Sequence, residues 1–213
     1  MINSLFSLEH TVAKNYIKDY SHPYKIIPNL SKIISLILPT LDKEEYDFYE
    51  NNIAISKSTT VDKSATLIGP LIIGHNCEIR HCAYIRGNVI IGNFCVIGNS
   101  CEIKDSLIFD NAQIPHFNYV GSSVVGYRAH LGAGVILSNL KSDKSNVKIE
   151  NIDTGLRKFG SLLGDFCEIG CGCVLNPGTI VGKSSIIYPL SSIRGVIKEN
   201  TIYKSSSSIV RRI

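Results

Sequence analysis

An all-β solenoid of stacked hexapeptides behind a small α-helical N-terminal cap is the fold class the sequence predicts, and three observations predict it. Ile55, Val61, Leu67, Ile73, Ile79, Ile85, Ile91, Ile97 and Ile103 recur at intervals of six without a break. That period belongs neither to an amphipathic helix nor to a long alternating strand, and it is a signature of hexapeptide solenoids. The residue two before each aliphatic is usually small, as at Ala65, Cys77, Ala83, Cys95, Cys101, Ala112, Ala129, Cys167, Cys173 and Thr179. The residue after it is often glycine, as at Gly74, Gly92, Gly98 and Gly132, which reads as freedom for a tight corner.

Residues 1–50 are expected to form the cap. Leu5, Leu8, Val12 and Tyr16, then Leu30, Ile33, Ile34, Ile37, Leu38 and Leu41, follow three/four spacing and predict two amphipathic helices. Their expected place is over the first coil, whose strand edge would otherwise stand open. The solenoid is expected over residues 51–204. Its step shortens to five at Ile108 and again at Val125, and a second register runs Leu163, Ile169, Leu175, Val181, Ile187 and Ile193. Between the two registers lies an excursion loop, 138–161. The tail 205–213 carries no pattern and is expected to be flexible.

With 213 residues and 44% hydrophobic content, the chain can bury a real core. A net charge of +4 is too weak to imply nucleic acid without a clustered basic stripe, and it suits a small anionic ligand. The N-terminus lacks the pattern of a secretory signal, and "IIPNLSKIISLILPTL" is broken by Pro28, Lys32 and Pro39. No membrane insertion and a cytoplasmic location are therefore expected. Five of the seven cysteines (77, 95, 101, 167 and 173) occupy the small slot, where a free thiol packs as a compact apolar group, while Cys82 and Cys171 fall outside it.

Arg86 follows Ile85 and Lys104 follows Ile103, so the two cations stand 18 residues apart in an unbroken register. On a three-sided coil they stack. Like charges one coil apart call for an anion between them, which makes the pair a candidate phosphate site; a carboxylate such as Glu102 or Asp105, or solvation, is the other explanation. Counting sides through the short steps puts the corner of His116 to Tyr119 just before the Arg86/Lys104 side, with Asn139 beyond it. Five polar residues from distant sequence thus gather along one edge.

The pattern resembles the left-handed parallel β-helix of the hexapeptide-repeat acyltransferases. "AYIRGNVIIGNFCVIGNSCEIKDS" and "IPHFNYVGSSVVGYRAHLGAGVILSNLKSDK" resemble the acetyltransferase half of the bifunctional N-acetylglucosamine-1-phosphate uridyltransferase/glucosamine-1-phosphate acetyltransferases, over roughly residues 67 to 197. The resemblance implies that Arg86 and Lys104 bind a sugar phosphate, that His116 is the general base, and that Tyr119 and Asn139 hold the sugar. It also implies acetyl-CoA as co-substrate at positions matching Ala133, Cys171 and Pro189, in a homotrimer with active sites between subunits. Two departures stand out. His130 replaces the family's asparagine at a substrate contact, and Lys144 lies one residue from the family's lysine. Residues 1–50 contain no glycine, so a glycine-rich nucleotide loop is not expected there, nor is uridylyl transfer.

The expected activity is transfer of acetyl to the amine of an amino-sugar phosphate, glucosamine-1-phosphate first. A nucleotide-linked amino sugar, an acyl carrier protein donor, or a non-catalytic scaffold of the same shape are the alternatives. No metal is expected. His81 and His116 suggest the zinc site of the gamma-type carbonic anhydrases, but no second histidine stands five residues after His116.

Overall fold

A computed structural model describes residues 2–212. Residues 1 and 213, the outer ends of the expected cap and tail, lie outside the described residues. The chain winds into a parallel β-helix with three faces, built from two nine-stranded sheets and one seven-stranded sheet. The inward aliphatics stack in three columns: Ile55, Ile73, Ile91, Ile108, Val125, Leu163, Val181 and Ile197 on the first face; Val61, Ile79, Ile97, Ile114, Leu131, Ile169 and Ile187 on the second; Leu67, Ile85, Ile103, Val120, Leu137, Leu175 and Ile193 on the third. The six-residue period and both shortened steps therefore translate into structure as counted. The five slot cysteines are buried and Cys82 and Cys171 are exposed.

The glycines after the inward aliphatics serve another purpose than the one expected. The corners are turned instead by residues at positive φ such as Asn76, Phe94, Ser100 and Phe117. Gly98, which is not among them, is required by crowding: a Cβ there would stand 1.6 Å from the carbonyl oxygen of Pro115 in the next coil.

The N-terminal segment differs from expectation in two ways. Its first half is not one helix but α1 (Ile2–Leu5), a 3-10 turn (Leu8–His10) and α2 (Lys14–Ile17). Other partners replace helical ones here: the Ser7 amide donates across the molecule to Asp165, and the Ala13 amide donates locally to the Thr11 hydroxyl. Val12 is consequently exposed, and Phe6, outside the expected stripe, is fully buried. The second half forms α3 (Ile26–Ile37), which buries Leu30, Ile33, Ile34 and Ile37 as its spacing predicts.

The segment also docks elsewhere. It lies on the outer surface of the first face, against Ile72, Ile90, Leu107, Val124 and Leu162. The open edge of the first coil is covered instead by the strand Tyr46–Tyr49, antiparallel to Ile53–Ser56. Phe6 stacks on Phe109 at 5.1 Å between ring centroids. Phe109→Ala should therefore cost about 3–5 kcal/mol, as removal of a buried aromatic does; a denaturant midpoint close to wild type would show that the docked segment contributes little.

The excursion leaves the third face after Leu137 and rejoins the first at Ser161, with a small hairpin of Lys148–Ile149 and Ile152–Asp153 inside it. Val147, Ile149 and Phe159 pack into the same outer cluster as the N-terminal helices. The tail is not loose. Ser208–Arg211 pairs antiparallel with Thr201–Ser205, matching Ile202 with Val210 and Tyr203 with Ile209. An exposed final strand offers unpaired backbone groups, and the polar run "SSSS" lets the chain turn back to satisfy them.

Candidate functional site

Strand alternation dictates what the third face shows to its surroundings. In Tyr84–Arg86 and Glu102–Lys104 the central isoleucines point inward, so Tyr84 and Arg86, then Glu102 and Lys104, point outward in two rows. Register places Lys104 beside Arg86, and Glu102 between Tyr84 and Tyr119. The two cations are stacked as counted, and each has a carboxylate. Arg86 holds Glu102 through its Nε at 2.9 Å and a terminal nitrogen at 2.6 Å, and its guanidinium lies over the Tyr84 ring at 5.3 Å. Lys104 pairs with Asp105. Burial works to raise the Asp105 carboxyl, but the Lys104 ammonium and the Asn88 donors outweigh it and hold the group below its ordinary value. The face therefore offers two polarised ion pairs with no net charge among them. Tyr84, two residues before Arg86, was the participant missed in the sequence, although alternation alone puts it on the same face.

Tyr119 continues the first row. Burial, then the Glu102 charge, pushes its phenol above the ordinary value, while an Asn139 hydrogen bond works the other way. Its ring folds over Gly121, where a Cβ would stand 2.5 Å from the phenol oxygen. Asn139 is only 8% exposed. Its amide donates to the Ser122 hydroxyl at 3.0 Å and its carbonyl accepts from Phe159, so it pins the root of the excursion beside Tyr119.

His116 ends the strand Gln113–His116 at the corner between the second and third faces. Its backbone amide donates to Asn118 Oδ1 at 3.0 Å, and Asn118 is itself anchored by a 2.7 Å bond to the Gly132 carbonyl. The imidazole is exposed and has no hydrogen-bond partner among the described residues. One backbone bond recurs down this corner: Ser100 to His81, Phe117 to Asn99, Gly134 to His116, Gly172 to Ala133 and Leu190 to Cys171. His81, Asn99, His116, Ala133, Cys171 and Pro189 thus form one column along the edge. The three positions that the resemblance matches to the co-substrate follow His116 on successive coils, a relation visible only once the coils are stacked.

Two expected contacts lie apart. His130 points from the second face, on the strand His130–Leu131, with Nδ1 2.9 Å from Glu168 Oε2. Lys144 stands exposed in an excursion turn at φ 57°, its amide bonded to the Lys141 carbonyl. No helix among the described residues is long and apolar enough to cross a membrane.

Fold and site together define a hexapeptide-repeat parallel β-helix with a polar face beside a histidine-bearing edge. The chain belongs to the family described as the GMPPB C-terminal domain, whose model matches residues 67–177. Among its relatives is the bifunctional protein GlmU of Methanococcus vannielii, 32% identical over 218 residues that cover 92% of this chain and 49% of the relative. A bifunctional sugar-1-phosphate nucleotidylyltransferase/acetyltransferase of Sulfurisphaera tokodaii is 33% identical over 111 residues, 50% of this chain and 28% of that one. The chain spans about half the length of the GlmU relative, in line with its resemblance to the acetyltransferase part alone. Among solved structures, a mutant of AntD, an N-acyltransferase from Bacillus cereus, aligns at TM-score 0.41 and 14% identity over 78% of this chain and 89% of that one.

Proposed function

We propose that the protein is a CoA-dependent N-acetyltransferase acting on an amino-sugar phosphate, glucosamine-1-phosphate first, in a homotrimer whose subunits complete one another's sites. The observation that carries the proposal is the edge column: an imidazole without a hydrogen-bond partner among the described residues, on the same corner as Ala133, Cys171 and Pro189, beside a face bearing Arg86, Lys104 and Tyr119. The names of the two bifunctional relatives support a sugar-related acetyl transfer.

An amino sugar is largely an ammonium at neutral pH and cannot attack a thioester until a base removes a proton. His116 takes that proton through the free lone pair of its neutral imidazole. The amine attacks the acetyl carbonyl, the tetrahedral oxyanion collapses, and the CoA thiolate leaves to collect a proton. In the loop that follows, the Gly132 amide is spent on Ile169 and the Gly134 amide on His116, so the Ala133 amide is the donor assigned to the oxyanion. Arg86 and Lys104 orient the acceptor phosphate, which shares them with Glu102 and Asp105.

Those prior ion pairs also favour a second reading. A nucleotide-linked amino sugar carries on its anomeric oxygen a phosphodiester with a single negative charge in place of a monoester near-dianion, and so competes less for the cations of the Arg86–Glu102 and Lys104–Asp105 pairs. Thiol release from acetyl-CoA, measured across glucosamine-1-phosphate, galactosamine-1-phosphate and a UDP-linked amino sugar, separates the two. Arg86→Ala should raise KM for a sugar-1-phosphate about tenfold or more while leaving KM for acetyl-CoA nearly unchanged. A rise confined to acetyl-CoA would reverse the two pockets, and no thiol release with any acceptor would leave the scaffold alternative.

A further inference from the structure

Two coils before His116 on the same edge, a thiol and an imidazole meet. Cys82 Sγ lies 3.3 Å from His81 Nε2. Across the ring, His81 Nδ1 is 2.8 Å from Ser64 Oγ, which is 2.6 Å from Asp62 Oδ1 and 2.9 Å from the Cys82 amide. The proton count settles the tautomer. The Ser64 hydroxyl has one proton, and the Asp62 carboxylate, an acceptor only, takes it. Ser64 Oγ then accepts from the Cys82 amide and from Nδ1–H of His81. With its proton on Nδ1, the neutral imidazole presents its Nε2 lone pair to the thiol.

We propose that Cys82 is a base-assisted nucleophilic thiol, a modification site that undergoes exchange with a low-molecular-weight disulfide. Nε2 of His81 takes the Sγ proton, and the thiolate attacks one sulfur of the disulfide. The incoming S–S bond breaks as the Cys82 mixed disulfide forms, and the departing thiolate takes the proton back from the imidazolium. One disulfide is consumed and one is made, with no external electron donor.

The other cysteines set Cys82 apart. Cys95 and Cys167 are buried with their thiols bonded to the carbonyls of Phe109 and Gly182 at 3.1 Å, and burial pushes Cys167 up to about 12. Cys171 is exposed on the same edge as His81, without an imidazole hydrogen-bonded to its sulfur among the described residues, and serves as an internal control. Cys82 is exposed, sits at φ 55° on the corner, and its His81 partner has a side chain 68% exposed, so a small disulfide can reach both.

The test incubates the whole chain with oxidised glutathione at neutral pH and follows each cysteine by peptide mass spectrometry. Cys82 should be modified about tenfold or more faster than Cys171, the margin a neighbouring base gives a surface thiol. His81→Gln should erase most of that margin, and Ser64→Ala, which removes the acceptor for Nδ1–H, should reduce it. Equal rates at Cys82 and Cys171 in the unaltered protein, or an undiminished margin in His81→Gln, would overturn the proposal. Neither readout depends on acyl transfer.

Discussion

Replacing His116 with alanine should lower kcat for thiol release by about 10²–10⁴-fold, the range that a positioned general base contributes. The effect should appear in kcat more than in KM, because the base acts on the proton in flight and not on the bound ground state. Folding should be untouched. The imidazole is exposed and makes no hydrogen bond among the described residues, and the bonds that shape the corner run through the His116 backbone to Asn118 and Gly134. Circular dichroism and melting temperature therefore separate chemistry from structure in the same variant. Thiol release that survives the substitution at the wild-type rate would remove the base from the mechanism.

A loss of stability on the scale expected at Phe109 lies across the molecule, at Asp165. Its carboxylate is fully buried and accepts the Ser7 amide at 2.7 Å, the Tyr127 amide at 3.0 Å and the Lys183 ammonium at 3.1 Å. One side chain thereby ties the N-terminal segment to three successive coils of the solenoid. Asp165→Ala takes the carboxylate from the half-buried Lys183 ammonium and leaves two amides unanswered, a loss of about 3–5 kcal/mol. In a chain of this size that should lower Tm by about 10 °C in a calorimetric scan. Asp165→Asn keeps an acceptor for the amides and should lose less. A melting curve for Asp165→Ala that overlays the wild type would show that the tether is dispensable.

The solenoid was legible because its signal is one-dimensional. Each inward aliphatic meets its counterpart one coil away, so packing repeats in the sequence at a fixed interval, and the shortened steps at Ile108 and Val125 could be counted through. That count placed Lys104 over Arg86 and put His116 on the adjoining corner. The docking of the N-terminal helices was also written there, as a second column. Ala54, Ile72, Ile90, Leu107, Val124, Leu162, Ile180 and Val196 each precede an inward residue of the first face and point outward. An apolar outer column needs a cover, and attention to the inward residues alone passed it by.

Other features depend on geometry that spacing does not encode. Whether Glu102 and Asp105 or a phosphate answers the stacked cations is a matter of side-chain reach. The tail strand pairs with a neighbour of equally weak pattern. Asp165 follows Gly164 like any corner residue, and only the arrival of Ser7 from the far end of the sequence gives it a purpose.

The antiparallel strands at the two ends bear on assembly. Tyr46–Tyr49 seals the first face at one end, and Ser208–Arg211 seals the second face at the other. A fibre grown by stacking copies head to tail would need in-register parallel pairing to continue across all three faces at every junction. With a reversed strand blocking one face at each terminus, such growth is frustrated from the first addition, and the coil is kept a finite particle free to associate through its sides.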